Sequence, residues 1–222
     1  MLLHDNLLEK SMFEPWLERD YGDPENALRG RQLMIVGESH YSKDPSEAGT
    51  APEGFTTGVV DYLALKKRHQ FFGKVQEIVT GEPRRDQTAA DRAAFWHSVV
   101  FYNYVRELVD GRSFADGGAR RRPSEEMFRR GAEPFREIRR RFEPHVVIIC
   151  GLETWRYLAP TIGILESSRD ILFFDDGTSL YGRIQHPSWP GFDTRKWHGR
   201  IRSLMDQAER PRVRGWHERW KG

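Results

Sequence analysis

The sequence predicts an α/β fold, a three-layer α/β/α sandwich around a central, mainly parallel four-stranded sheet. Three observations carry that expectation. Four short apolar runs alternate along the chain with helical patterns, the arrangement that parallel sheets with helical crossovers produce. The runs at Gln32–Gly37 and His145–Gly151 are continuous rather than alternating, as strands covered on both faces should be. The 222 residues, with 7 Trp, 7 Tyr and 13 Phe, are enough to bury about 70% of the unfolded surface in one core.

The elements follow in order. Met12 to Arg19 reads as a helix with Phe13 and Trp16 on one face, and Gln32–Gly37 is the first strand. Phe71, Val75, Ile78 and Val79 recur at helical spacing. Thr88-Ala-Ala-Asp91 resembles a capping box with Asp in place of Glu, opening a helix that runs into the strand Ser98–Asn103. Pro134 fits the first turn of a helix carrying Phe135, Ile138 and Phe142, which Pro144 stops. His145–Gly151 is the third strand, with a helix from Leu152 to Leu158 behind it. Leu180–Gln185 is the fourth, predicted to form a hairpin with Ile171–Phe174 across Asp176-Gly177. A last helix, Asp193 to Ala208, has Trp197, Ile201 and Leu204 as its apolar stripe. No repeat, low-complexity tract or long linker divides the chain, so residues 1–222 are read as one domain with its core at about 31–205.

Composition excludes several classes. Apolar residues make up 38% and the mean hydropathy is -0.70. The longest stretch free of Asp, Glu, Lys and Arg, Ala93 to Val105, is well short of the roughly 20 apolar residues of a membrane span. Asp5 and Glu9 stand where a signal peptide needs apolar residues. The single Cys150 rules out an internal disulfide, an all-cysteine zinc site and an all-cysteine iron–sulfur cluster. A cytoplasmic monomer without metal or cofactor is expected. The net charge of +2 hides an uneven distribution: 28 of 35 basic residues are Arg. Residues 1–60 hold 11 acids against 5 bases, 120–141 hold 9 Arg against 4 Glu, and 195–222 hold 9 bases against 3 acids. Arg clusters bind phosphate through paired N–H donors, whereas the same counts also fit solvated helix faces laced with ion pairs.

Each strand runs into polar residues. The first ends in Gly37-Glu38-Ser39-His40-Tyr41, the second in Asn103, the third in Gly151, the fourth in His186-Pro187-Ser188. In parallel sheets ligands bind beyond the carboxyl ends of the strands. Turn-forming roles explain these residues singly, but not why Glu38, His40, Asn103 and His186 all fall there.

This pattern resembles the uracil-DNA glycosylase superfamily. Gly37-Glu38-Ser39-His40-Tyr41 fits the slot of its first motif, which begins Gly-Gln-Asp-Pro-Tyr or Gly-Glu-Ala-Pro-Gly. Phe55 stands where family members place the Phe that stacks on the extruded base, and Asn103 where an Asn reads the base edge. Pro134-Phe135, and Pro144 to Gly151, match a recurring helix and strand. His186-Pro187-Ser188 matches the second motif. The resemblance covers roughly residues 31–205. It departs from the family at Ser39, where several members carry a water-activating Asp or Asn, and at His40, which replaces the usual proline.

The resemblance implies a DNA glycosylase that cleaves the N-glycosidic bond of a flipped, damaged or modified pyrimidine, releasing a free base and leaving an abasic site. The altered first motif suggests a bulky base such as a hypermodified cytosine of phage DNA. In this reading Glu38, Ser39 and His186 are catalytic, and His40, Tyr41, Phe55, Asn103 and Ser188 contact substrate. Trp189, with Pro190, wedges into the duplex, and Arg120, Arg121, Arg122, Arg195 and Lys196 hold DNA phosphates. Two other readings fit the same residues: an esterase-type serine hydrolase using Ser39 and His186, and a non-catalytic nucleic-acid-binding module. His40 also fits a surface turn, Phe55 a core position and Asn103 a strand cap, while Cys150 reads as a small buried apolar residue.

Overall fold

The structure, a computed structural model, describes residues 13–112, 122–165, 171–208 and 217–219. Its main sheet contains β1 (Leu33–Gly37), β3 (Val99–Asn103), β5 (Val146–Cys150), β6 (Ile171–Asp175), β7 (Leu180–Ile184) and β8 (His217–Arg219). They lie in the order β3-β1-β5-β7-β6-β8. The first four of that order are parallel, and they are the four strands predicted. β6 turns back antiparallel to β7 as the expected hairpin. β8 adds an antiparallel edge strand that no sequence pattern announced; three residues are too few for a periodicity to show.

The strands are apolar throughout because both faces are covered. Leu33, Ile35, Phe101, Val146 and Ile148 point into one core with α2 (Gln70–Thr80), α3 (Ala89–His97) and α7 (Thr194–Gln207). Met34, Val36, Val100, Val147 and Ile149 point into the other, with α4 (Glu125–Arg130), α5 (Ala132–Phe142) and α6 (Leu152–Leu158). The alternation along each strand makes the three layers. The capping box at Thr88 and Asp91 is present, and α7 buries Trp197, Ile201 and Leu204 as predicted. Among the described residues no helix is long and apolar enough to cross a membrane.

Two expectations fail locally. The described part of the proposed helix at 12–19 is not helical. Trp16 forms an antiparallel bridge with Phe101, its N–H donating to the Phe101 carbonyl at 2.8 Å. Its indole N–H also donates to the Trp96 carbonyl at 2.8 Å. Pro15 disfavours helical backbone at the residue before it, and the free edge of β3 offers the segment backbone partners instead. Phe55, whose neighbours Gly54 and Thr56 suggest a loop, begins α1 (Phe55–Val59), which widens into a π-helix over Val60–Lys66. Gly58 and the β-branched Thr and Val residues mask that helix in the sequence; burial of Thr56, Val60 and Ala64 holds it.

A small parallel pair, β2 (Tyr41–Ser42) and β4 (Val109–Asp110), lies just beyond the end of β1. Tyr104 and Val105 N–H groups donate to the Gly37 and Glu38 carbonyls at 3.0 and 2.9 Å, and Val109 N–H to the His40 carbonyl at 3.0 Å. The loop after β1 is therefore laced along its length to the chain leaving β3.

Candidate functional site

Because β1, β3, β5 and β7 are parallel, Gly37, Asn103, Gly151 and the segment from Gln185 onward leave the sheet along one edge. Glu38 sits there, half-buried. Burial raises its carboxyl above the ordinary range; the Tyr41 hydroxyl, donating at 3.1 Å, and the nearby Arg122 charge oppose that rise, and Glu153 adds to it. Tyr41, 44% exposed, is pushed up to about 12 by partial burial and by the Glu38 charge. The Ser39 hydroxyl is buried, and its interaction with the Tyr41 hydroxyl opposes the rise at Tyr41.

His186 is oriented by the turn that follows it. Its Nδ1 accepts the Ser188 backbone N–H at 3.2 Å, so the neutral ring carries its proton on Nε2. Burial, with Arg122 second, pushes its pKa down to about 4. The ring packs against Phe71 at 5.3 Å, and close beside Gly151, where an added Cβ would meet its Cδ2 at 3.9 Å. Asn103 is buried, with its carboxamide lying over Gly37 and no side-chain hydrogen bond to another described residue.

Neither a protein-family model nor a curated protein matches this chain.

Not every candidate residue joins this group. The His40 ring is buried at 5% exposure between Phe13 and Phe55, with centroids 4.9 and 5.1 Å away, and its Nε2 pairs with the Thr56 hydroxyl at 3.0 Å. Phe55 itself packs on Phe13 and His40, beside Ala51 and Leu108. The aromatic ring against His186 is Phe71, hidden from sequence reading because its spacing with Val75 and Ile78 is that of any core-facing helix. Ser188 acts through its backbone N–H, and Trp189 stands 57% exposed just beyond.

The basic segments divide. Arg122 is exposed and acts electrostatically on Glu38, Tyr41 and His186, which places it at the strand ends. Arg120 and Arg121 lie outside the described residues. Five of the six later arginines of that run pair with carboxylates: Arg129 with Glu125, Arg130 with Glu107, Arg136 with Glu133, Arg139 with Asp176 and Arg141 with Glu14. Asp176 belongs to the β6–β7 turn at the opposite edge of the sheet, so the run of residues 120–141 is not a single clamp around the strand ends. Arg195 and Lys196 occupy the first turn of α7, where Asp193 caps the helix by accepting the Lys196 N–H at 3.1 Å. A surface pocket of about 250 Å³ lies elsewhere, lined by Arg129, Trp155, Tyr157 and Leu165 among others, and includes none of the strand-end residues. Among the described residues no group of three or more His, Cys, Asp or Glu is placed to hold a metal ion.

The closeness of Gly37 to Asn103 gives a direct test of how tightly this edge is built. A methyl group at Gly37 would collide with the Asn103 Oδ1. Gly37→Ala is expected to turn the carboxamide away and to lower stability by about 1–3 kcal/mol through overpacking, read by urea unfolding. Asn103→Ala combined with it should recover part of the loss; a strictly additive double variant would show that the two do not touch.

Proposed function

We propose that the protein is a DNA glycosylase that hydrolyses the N-glycosidic bond of a flipped modified pyrimidine, releasing the base and leaving an abasic site. The observation that carries this reading is His186: a neutral imidazole whose Nδ1 is occupied by the Ser188 N–H, leaving Nε2–H as a fixed donor at the strand-end edge. Breaking the bond builds positive charge on the sugar and negative charge on the departing base. A preoriented neutral donor stabilises that base oxygen without a proton having to leave first. The Asn103 carboxamide, with no side-chain hydrogen bond to another described residue, offers both a donor and an acceptor to a pyrimidine edge.

Glu38 is the carboxylate closest in sequence to the end of β1 and is the residue we assign to holding water beneath the sugar, with Tyr41 steadying one of its oxygens. Arg122, Arg195 and Lys196 supply phosphate contacts, and exposed Trp189 the wedge. The resemblance at Gly37–Tyr41, Asn103 and His186–Ser188 supports the same reading. Cytoplasmic residence is part of the proposal, on a single, buried, free Cys150.

The experiment is a panel of oligonucleotides containing uracil, hypoxanthine, hydroxymethylcytosine or its glucosylated form, incubated with protein and then with hot alkali to reveal abasic sites. Strand scission with a modified pyrimidine is expected. Salt-dependent binding without product on every substrate would replace the enzyme by a binding module. Turnover of a nitrophenyl ester lost in Ser39→Ala would replace it by a serine hydrolase.

A further inference from the structure

Lys74 lies on α2, far in sequence from the strand-end motifs, yet it reaches the turn that carries His186. Its Nζ donates to the Pro187 carbonyl at 2.9 Å, one residue past His186. The same ammonium lies 5.6 Å from the centre of the Phe192 ring, at the far end of that turn. Phe192 is in turn stacked on Trp197 of α7, with centroids 6.1 Å apart, so this end is anchored in the core. Within the turn, Trp189 N–H donates to the His186 carbonyl at 2.8 Å and Phe192 N–H to the Trp189 carbonyl at 3.1 Å. One turn earlier on α2, Phe71 supports the His186 ring itself. A single helix thus grips the imidazole with an aromatic ring and the following peptide with a cation.

We infer that Lys74 is a positioning residue for His186, clasping the turn of residues 186–192 from Pro187 to Phe192 so that the Ser188 N–H stays on Nδ1 and the ring proton stays on Nε2. The chemistry calls for a cationic donor. A carbonyl oxygen needs a donor, a ring face attracts a cation, and Lys74 makes both contacts with one charged group. Among the described residues Lys74 has no ion pair, so its charge is not already committed to a carboxylate. The neighbouring Glu77 is occupied by the Thr194 hydroxyl at 2.7 Å.

This inference rests on the assignment of His186 as the donor in base release, but its first readout does not. In ¹⁵N-labelled protein at neutral pH, with the His186 resonances assigned by comparison with His186→Gln, the wild-type ring should show one protonated nitrogen, Nε2, and one acceptor, Nδ1. Lys74→Met keeps the length of the side chain and removes the charge; its ring nitrogens should move toward the averaged shifts of a ring exchanging both tautomers. Lys74→Arg, which retains a cationic donor, should restore the wild-type pattern. If Lys74→Met destabilises the fold, which thermal melting reports, the comparison of wild type with Lys74→Arg and the partly conservative Lys74→Gln carries the test. An unchanged Nε2–H pattern in both Lys74→Met and Lys74→Gln overturns the inference. On a substrate that the oligonucleotide panel identifies, Lys74→Met should lower kcat by about 10- to 100-fold with KM nearly unchanged, the effect of a displaced rather than missing group. Absence of turnover on every substrate in wild type would sink the glycosylase reading, while the nitrogen shifts would still decide whether Lys74 sets the ring.

Discussion

His186→Ala is expected to slow base release under single-turnover conditions by about 10²- to 10⁴-fold, with little change in binding to the same oligonucleotide. The magnitude follows from removing the one preoriented donor aimed at the charge that develops on the leaving base. His186→Asn, which keeps an N–H donor on a shorter side chain, should fall between the two. The pH profile separates this mechanism from its nearest competitor. With its pKa near 4, His186 is already neutral at about pH 5, so the rate should show no histidine inflection between about pH 5 and pH 8. If the ring worked instead as an imidazolium acid, the rate would fall about tenfold per pH unit above a pKa of about 4, and that dependence would vanish in His186→Ala. Arg122 strengthens the distinction: its charge faces His186 and discourages protonation. Arg122→Gln should therefore raise the His186 pKa, measurable by NMR titration. A wild-type rate that falls in this way would rule out the neutral-donor role.

The parts of this molecule legible in its sequence are those set by local pattern. β1 and β5 announce themselves because a strand covered on both faces has no polar residue to interrupt it, and all five residues of each are buried. α7 is legible because Asp193 caps it and Trp197, Ile201 and Leu204 recur at its period. The strand-end placement of Glu38, Asn103, Gly151 and His186 follows once the strands are parallel. What stayed hidden depends on partners distant in sequence. Trp16 and Phe13 have helical spacing, yet a bridge to Phe101 decides their conformation. The arginines of residues 129–141 look like one basic surface until Glu107, Asp176 and Glu14 come from three other parts of the chain to meet them. His40 reads as a substrate contact from its motif position, whereas Phe13 and Phe55, which make its surroundings apolar, lie outside that motif. Lys74 carries no local pattern at all, because a lone lysine on a helix is indistinguishable from a solvated one until the Pro187 carbonyl is seen beside it.

The same burial of His40 makes stability depend on acid. Its pKa is pushed down to about 4 in the folded protein, by burial, from an ordinary value of 6.5. Above about pH 6.5 the ring is neutral both folded and unfolded and contributes no pH dependence. Below it the unfolded chain binds a proton that the folded protein refuses, so stability declines as pH falls from about 6.5 to about 4 and then levels. At about pH 5 the loss from His40 alone is roughly 2 kcal/mol, growing to roughly 3 kcal/mol at the lower plateau. His186 and His69, both also lowered, act in the same direction. Glu38, raised by burial, acts against them, since its protonation favours the folded state. The depressed carboxyls of Asp44, Asp91 and Asp176 cost stability only at lower pH, as they protonate below the usual carboxylate range. Urea unfolding at about pH 7.5 and about pH 5 isolates the histidine window. His40→Gln, which keeps a polar partner for Thr56 without titrating, should shrink the difference between the two conditions by about 2 kcal/mol. Equal differences in variant and wild type would mean that the ring accepts a proton in place. The consequence reaches the candidate site, because the His40 carbonyl and ring join the loop carrying Glu38 to β4 and α1. Acid that expels the ring from between Phe13 and Phe55 would loosen that loop before the sheet itself unfolds.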